Sequence, residues 1–171
     1  MMDTLPISLR TVKTALALLL LASAMAHAEE RKNWYNDPFE QATGAIAQCG
    51  TVNGPLRTKA EALADAHHRI ERGNSCVLNG LCEPGGPYMH DPEINRHVVE
   101  ALQAVPGLQR SAIWVSTEHK WVKLEGCIES EQQRTAALEA ARRVPMVEFV
   151  IDKLVRPGAE NVQHEPVRPP H

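Results

Sequence analysis

The chain is expected to be an α+β protein. Residues 91–156 carry two amphipathic helical stripes, a pair of alternating strand-length segments joined by a short turn, and a final β-rich apolar run. The resulting order is helix, strand, strand, helix, strand. Two helices on one face of a three-stranded sheet would bury Ile113, Val115, Val122, Leu124, Val150 and Leu154 against the helical stripes.

Each element has a local cause. At the start, residues 1–28 place Arg10 and Lys13 ahead of an apolar run from Ala15 to Ala22 and an Ala26-His27-Ala28 motif. This is the layout of a secretory signal peptide cleaved after Ala28; the apolar run is too short for a hydrocarbon core of about 30 Å. An exported, periplasmic chain is the expectation. Residues 29–90 are rich in turn residues, with Asn-Gly pairs at 53 and 79 and the Gly85-Gly86 pair. One helix, at about 58–72, is expected inside this extension: Thr58 and Glu61 form a capping box, Leu63, Ala64, His67 and Ile70 follow, and Gly73 closes it.

From Asp91 the signals become regular. Asp91-Pro92-Glu93 reads as a helix start with an acidic cap, and Ile94, Val98, Ala101, Leu102 and Val105 form one stripe that stops at Pro106-Gly107. Strands are expected at about 111–117 and 121–128 around the turn at Glu118 to Lys120. Ser130 and Gln133 make a second capping box ahead of the stripe Ala137, Ala140, Ala141 and Val144, and VEFVIDKLV at 147–155 supplies the last strand. The tail, 157–171, holds prolines and almost nothing apolar, so it is expected to be disordered.

The run DPEINRHVVEALQAVPGL, the hairpin AIWVSTEHKWVKLEGCIES and the segment QQRTAALEAARRVPMVEFVIDKLV resemble a BON domain. This is a small module of bacterial envelope proteins related to an osmotically induced, stress-response periplasmic family. The resemblance covers about 91–156, and Leu124-Glu125-Gly126 matches the end of the family's second strand. It implies a mixed three-stranded sheet with two helices on one side, no catalytic residues and no cofactor. The implied role is binding phospholipid or another component of the cell envelope. Two departures concern turns. Where family members have glycine in the hairpin this chain has Glu118-His119-Lys120, and where they have Gly-Val before the last strand it has Pro145-Met146-Val147.

The helix-covered face leaves Trp114, Trp121, Cys127, Phe149 and Ile151 on the other side, too much apolar surface to leave in water. Cysteine use offers a cover. Cys49, Cys76, Cys82 and Cys127 are even in number in an exported chain and read as disulfides. With all four paired, Cys127 must join the halves. The short loop around Asn79-Gly80 favours Cys76 with Cys82, leaving Cys49 for Cys127, although spacing alone does not choose among three connectivities. The extension, including its helix, is therefore expected to lie across the outer sheet face.

Other chemistry is poorly represented. The net charge of −3 gives no electrostatic footprint for nucleic acid. His67 and Glu71 share a helix face without an H-E-x-x-H pattern, so no metal site is expected, and neither nucleophile motifs nor phosphate-cradling loops occur, so no enzyme is expected. Arg142, Arg143, Lys153 and Arg156 are the candidates for contact with anionic phospholipid, peripheral at most. The alternative is a protein-protein module that docks Trp114, Trp121 and Phe149 onto a larger envelope assembly.

Overall fold

A computed structural model describes residues 29–47, 49 and 52–158. The leader at 1–28 and nearly all of the tail lie outside the described residues. The chain divides into two units, residues 1–30 and 31–171; of the first, Glu29 and Glu30 are described, both exposed.

The second unit carries the regular structure: β1 (Phe39–Gly44), α1 (Lys59–Leu78), α2 (Asp91–Ala104), a short 3-10 turn (Leu108–Arg110), β2 (Ala112–Glu118), β3 (Trp121–Cys127), α3 (Glu131–Arg142) and β4 (Phe149–Val155). The sheet has four strands in the order β1-β2-β3-β4, not three. β1 and β2 are antiparallel, as are β2 and β3, while β3 and β4 run parallel across the α3 crossover. The added strand comes from the extension. FEQATG shows no alternating apolar pattern because a bulge between Gln41 and Thr43 lets Ala42 alone bury fully.

Ile94, Val98 and Leu102 of α2 and Ala137 and Ala141 of α3 close over Ile113, Val115, Val122, Leu124, Val150 and Leu154. Each large aliphatic side chain taken from water here contributes about 1.5–3 kcal/mol. α2 packs on β1 and β2, α3 packs on β4, and the two helices touch. Gln133 ties α3 to the rest of the domain. Its backbone N–H donates to Ser130 Oγ, its side-chain oxygen accepts from Glu129 N rather than from the cap residue, and its side-chain amide donates to Gly107 O.

α1 departs from expectation at its end. The Thr58–Glu61 box is complete, but the helix runs through Gly73 to Leu78. A mid-helix glycine costs only about 1 kcal/mol, and the left-handed stop comes later, at Gly80 with φ 66°. The Cys76–Cys82 disulfide closes this turn, its Cα atoms 5.4 Å apart.

Two turns that lack the family's glycines keep the backbone glycine would adopt. His119 and Lys120 have φ 45° and 67°, the left-handed pair of a tight hairpin turn, and Met146 has φ 69°. Asp91 explains how the hairpin tolerates this. It is the first residue of α2, whose N-cap position is His90 with no side-chain capping bond, and its carboxylate accepts from the backbone N–H groups of both His119 and Lys120 at 2.7 Å. The expected helix cap is thus a brace for a turn 28 residues away.

Candidate functional site

The outer sheet face is built by alternation: Trp114 on β2, Trp121, Lys123, Glu125 and Cys127 on β3, and Phe149 and Ile151 on β4. A strap rather than a helix crosses it. Cys127 is bonded to Cys49, with Cα atoms 5.5 Å apart. Gly54 N donates to Glu125 Oε2 at 2.9 Å, and Lys123 Nζ donates to Gly54 O at 3.0 Å. Gly54 and Pro55 are buried as a result. Lys32 and Arg57 exchange both backbone hydrogen bonds at 2.9 Å, which fixes residues 31–37 alongside the strap.

α1 leaves this face and anchors beside the hairpin turn. Asp37, nearly buried, accepts from Arg69 at 2.7 Å and Arg57 at 3.4 Å; Glu118 accepts from Arg57 at 2.7 Å and pairs with Arg69 at 3.3 Å. The Arg69 guanidinium lies between the rings of Tyr35 and Tyr88, 4.1 Å from each centroid. Burial works against its charge, but the carboxylates of Asp37 and Glu118 hold its pKa above the ordinary value. From Tyr88 the rings continue through His119 and Trp121 to Phe149, at centroid distances of 6.0, 4.5 and 5.4 Å. A cavity of about 170 Å³ lies between strap and sheet, with Arg57, Glu118, Trp121 and Lys123 in its wall. The ionic groups there already pair with one another or with the strap.

Asp91 sits below the same turn. Burial, helped by nearby Asp37 and Glu118 and opposed by the two turn amides, pushes its carboxyl up from 3.8 to about 6. In the unfolded chain the proton leaves near 3.8. The folded state therefore holds it over a wider range, and the contribution to stability, full below the unfolded value, is lost as pH rises through about 6. His119 acts oppositely, since burial lowers its imidazole pKa below 6.5 and stability is lost as pH falls. The expected result is that wild type loses stability relative to Asp91→Asn between about pH 4 and pH 7, with His119 common to both. Thermal unfolding of the two proteins across that range checks it, and parallel curves would exclude the effect.

The candidate cations do not form one group. α3 runs opposite to β4, so Arg142 and Arg143 lie at the end of α3 that leads into β4, whereas Arg156 lies at the other end, 3.7 Å from Glu131. Lys153 projects from the outer face of β4 and is half-buried. Arg143 pairs with Glu139 at 2.8 Å; Arg142 is exposed and has no ion pair among the described residues. Beside these two arginines stand residues that sequence reasoning did not group with them. Met146 is 38% exposed and Phe149 is 54% exposed, and Glu148 N donates to Lys120 O at 3.0 Å, which brings the hairpin turn alongside. The signal was present in the Pro145-Met146-Val147 departure, where a side chain replaces the family's glycine. The aromatic candidates also separate. Trp121 and Phe149 pair at this end of the sheet, while Trp114 lies half-buried further along, opposite Glu125 and Gln41.

His67 meets Glu71 at 3.1 Å on an exposed helix face. Among the described residues no group of three His, Cys, Asp or Glu side chains could hold a metal ion, and no helix is long and apolar enough to cross a membrane. No curated protein and no solved structure matches the chain. Residues 90–157 match the family model of the BON domain. Residues 90–157 thus form a BON domain, a module of a kind known in general for binding phospholipids and envelope components, and a fourth strand is added to its sheet from Phe39–Gly44.

Proposed function

We propose that the protein is a peripheral binder of anionic phospholipid surfaces in the bacterial periplasm. Export by the leader cleaved after Ala28 suits the two disulfides, which persist in oxidising compartments. The contact is the edge formed by Arg142, Arg143, Met146 and Phe149. Lys153 and Arg156 take no part in it.

The observation that carries this reading is Met146. A non-glycine residue at φ 69° costs about 1 kcal/mol or more. Here the cost is incurred at an apolar side chain that keeps 38% of its surface exposed, three residues before exposed Phe149. Such side chains gain when they enter the boundary between head groups and acyl chains, and each nearby cation adds about 1 kcal/mol on an anionic surface. The negative net charge makes the local patch matter more than the whole molecule.

The test is co-sedimentation of residues 29–171 with vesicles of phosphatidylcholine containing phosphatidylglycerol, against phosphatidylcholine alone, at low and high salt. Retention should need the anionic lipid and fade with salt. Arg142→Ala with Arg143→Ala should weaken it by about 30-fold, the equivalent of about 2 kcal/mol. Met146→Gly should bind less while melting no lower. Equal retention on both vesicles, or an unchanged double variant, would reject the reading.

A second reading is supported by the same exposed Phe149 stacked on Trp121: docking of an envelope protein on Trp114, Trp121 and Phe149. Ready quenching of tryptophan fluorescence, relieved by the partner and not by vesicles, would favour it.

A further inference from the structure

We propose that the outward face of α1 is a homodimer seam, in which two copies pack their helices antiparallel about Ile70. One side of α1 is committed within the chain: Ala62 is buried, and Asp65, Arg69 and Arg72 turn towards Arg57, Asp37 and Glu118. The opposite side carries Leu63, Ile70 and Val77, with 67%, 62% and 41% of their surfaces exposed, followed by Leu78 and Leu81 at 85% and 75%. The first three recur every seven residues, a spacing that drifts only about 20° per step and so keeps them in one line along the helix. Among the described residues no strand or helix packs substantially on α1, and Leu63 and Ile70 keep most of their surface in water.

The size suits a second copy. The five aliphatic side chains expose roughly 500 Å² per chain, at the upper range for a monomer's largest apolar patch. Two such faces together remove about 1,000 Å², which reaches the lower bound of a specific interface.

Charge argues against a membrane as occupant. Interfacial helices flank the apolar face with Lys and Arg, but Arg69 and Arg72 point inward, and the outward side of α1 carries one basic residue, Lys59 at its start, against Glu61, Glu71, His67 and His68. Antiparallel order sets long Leu63 against short Val77 and Ile70 against its copy, giving an even gap. It also separates the two Lys59 ammonium groups by the length of the helix, where parallel order would oppose them. No atom lies within 4 Å of where a side chain at Gly73 would project, so the neighbouring helix has room to approach.

The experiment is sedimentation equilibrium of oxidised residues 29–171 over a range of concentrations, for wild type, Ile70→Asp and Leu63→Glu. Both substituted positions are exposed, so each variant should keep the wild-type circular dichroism and melting profile of an isolated chain. Wild type should be a dimer, and each variant should weaken association by at least about 100-fold, because a desolvated carboxylate would be buried without a partner. Should one variant misfold, the other decides. A wild-type monomer at the highest concentration, or a folded variant that dimerises as tightly as wild type, would overturn the seam. A cross-link between the two Lys59 residues would overturn the antiparallel order. Vesicle binding through Arg142 and Phe149 is read separately, so either idea can fail without the other.

Discussion

Gly126→Ala is expected to destabilise the protein by more than about 4 kcal/mol, enough to remove most of a domain's stability. A Cβ at Gly126 would lie 2.0 Å from the carbonyl oxygen of Ala112 and 3.0 Å from its carbon, with Trp114 Cε3 at 3.2 Å. The obstructing atoms belong to the backbone of β2. They cannot swing aside as a side chain would, because Ala112 is paired with Cys127 and Ile113 with Gly126 in the ladder. The φ of 125° adds strain of its own. Gly107→Ala is the control: its φ is 91°, but nothing lies within 4 Å of the added atom, so it should cost only about 1–2 kcal/mol. Chemical denaturation of both variants measures the difference. Equal losses would mean that the strands separate easily and that close approach is not what requires glycine.

Removing the Cys49–Cys127 bridge by paired Cys→Ala substitutions should cost about 4–5 kcal/mol, because it frees a loop of 78 residues in the unfolded chain. The same change at Cys76 and Cys82, only 6 residues apart, should cost about 2 kcal/mol. The first pair also has a local consequence that the second lacks. Residues 52–57 would then be held on the sheet by the Gly54 contacts to Glu125 and Lys123 and by the Arg57–Glu118 ion pair, and Trp121 should become more accessible to quenchers. Urea titrations of the two pairs, read beside quenching at matched native conditions, separate the effects. A smaller loss for the long loop than for the short one would contradict the account.

The helical stripes of α2 and α3 and the alternation of β2 and β3 were legible because burial on one side imposes a period on the residues. β1 was not, since an edge strand whose burial rests on Ala42 has no period to read. The end of α1 was misplaced because glycine both interrupts and terminates helices, and only the backbone distinguishes Gly73 from Gly80. Asp91 carries a correct helix-start signal, yet its carboxylate serves the hairpin. That contact depends on how α2 lies against β2, which no local pattern reports. The basic residues were grouped by proximity along the chain, although a helix returning between parallel strands necessarily puts its two ends at opposite ends of the sheet. Met146 was visible as a departure from glycine, and its meaning emerged only with its φ and its exposed neighbours.

Because β1 occupies the free side of β2, the hydrogen-bonding groups there are satisfied within the molecule, and the bulge at Gln41 to Thr43 makes the new rim irregular. At the far rim, Asp152 takes the Leu154 amide with its own carboxylate at 2.9 Å, withholding that donor from any incoming chain. Both sides of the sheet are thereby poor templates for amyloid-like stacking, a safeguard built into the rims themselves.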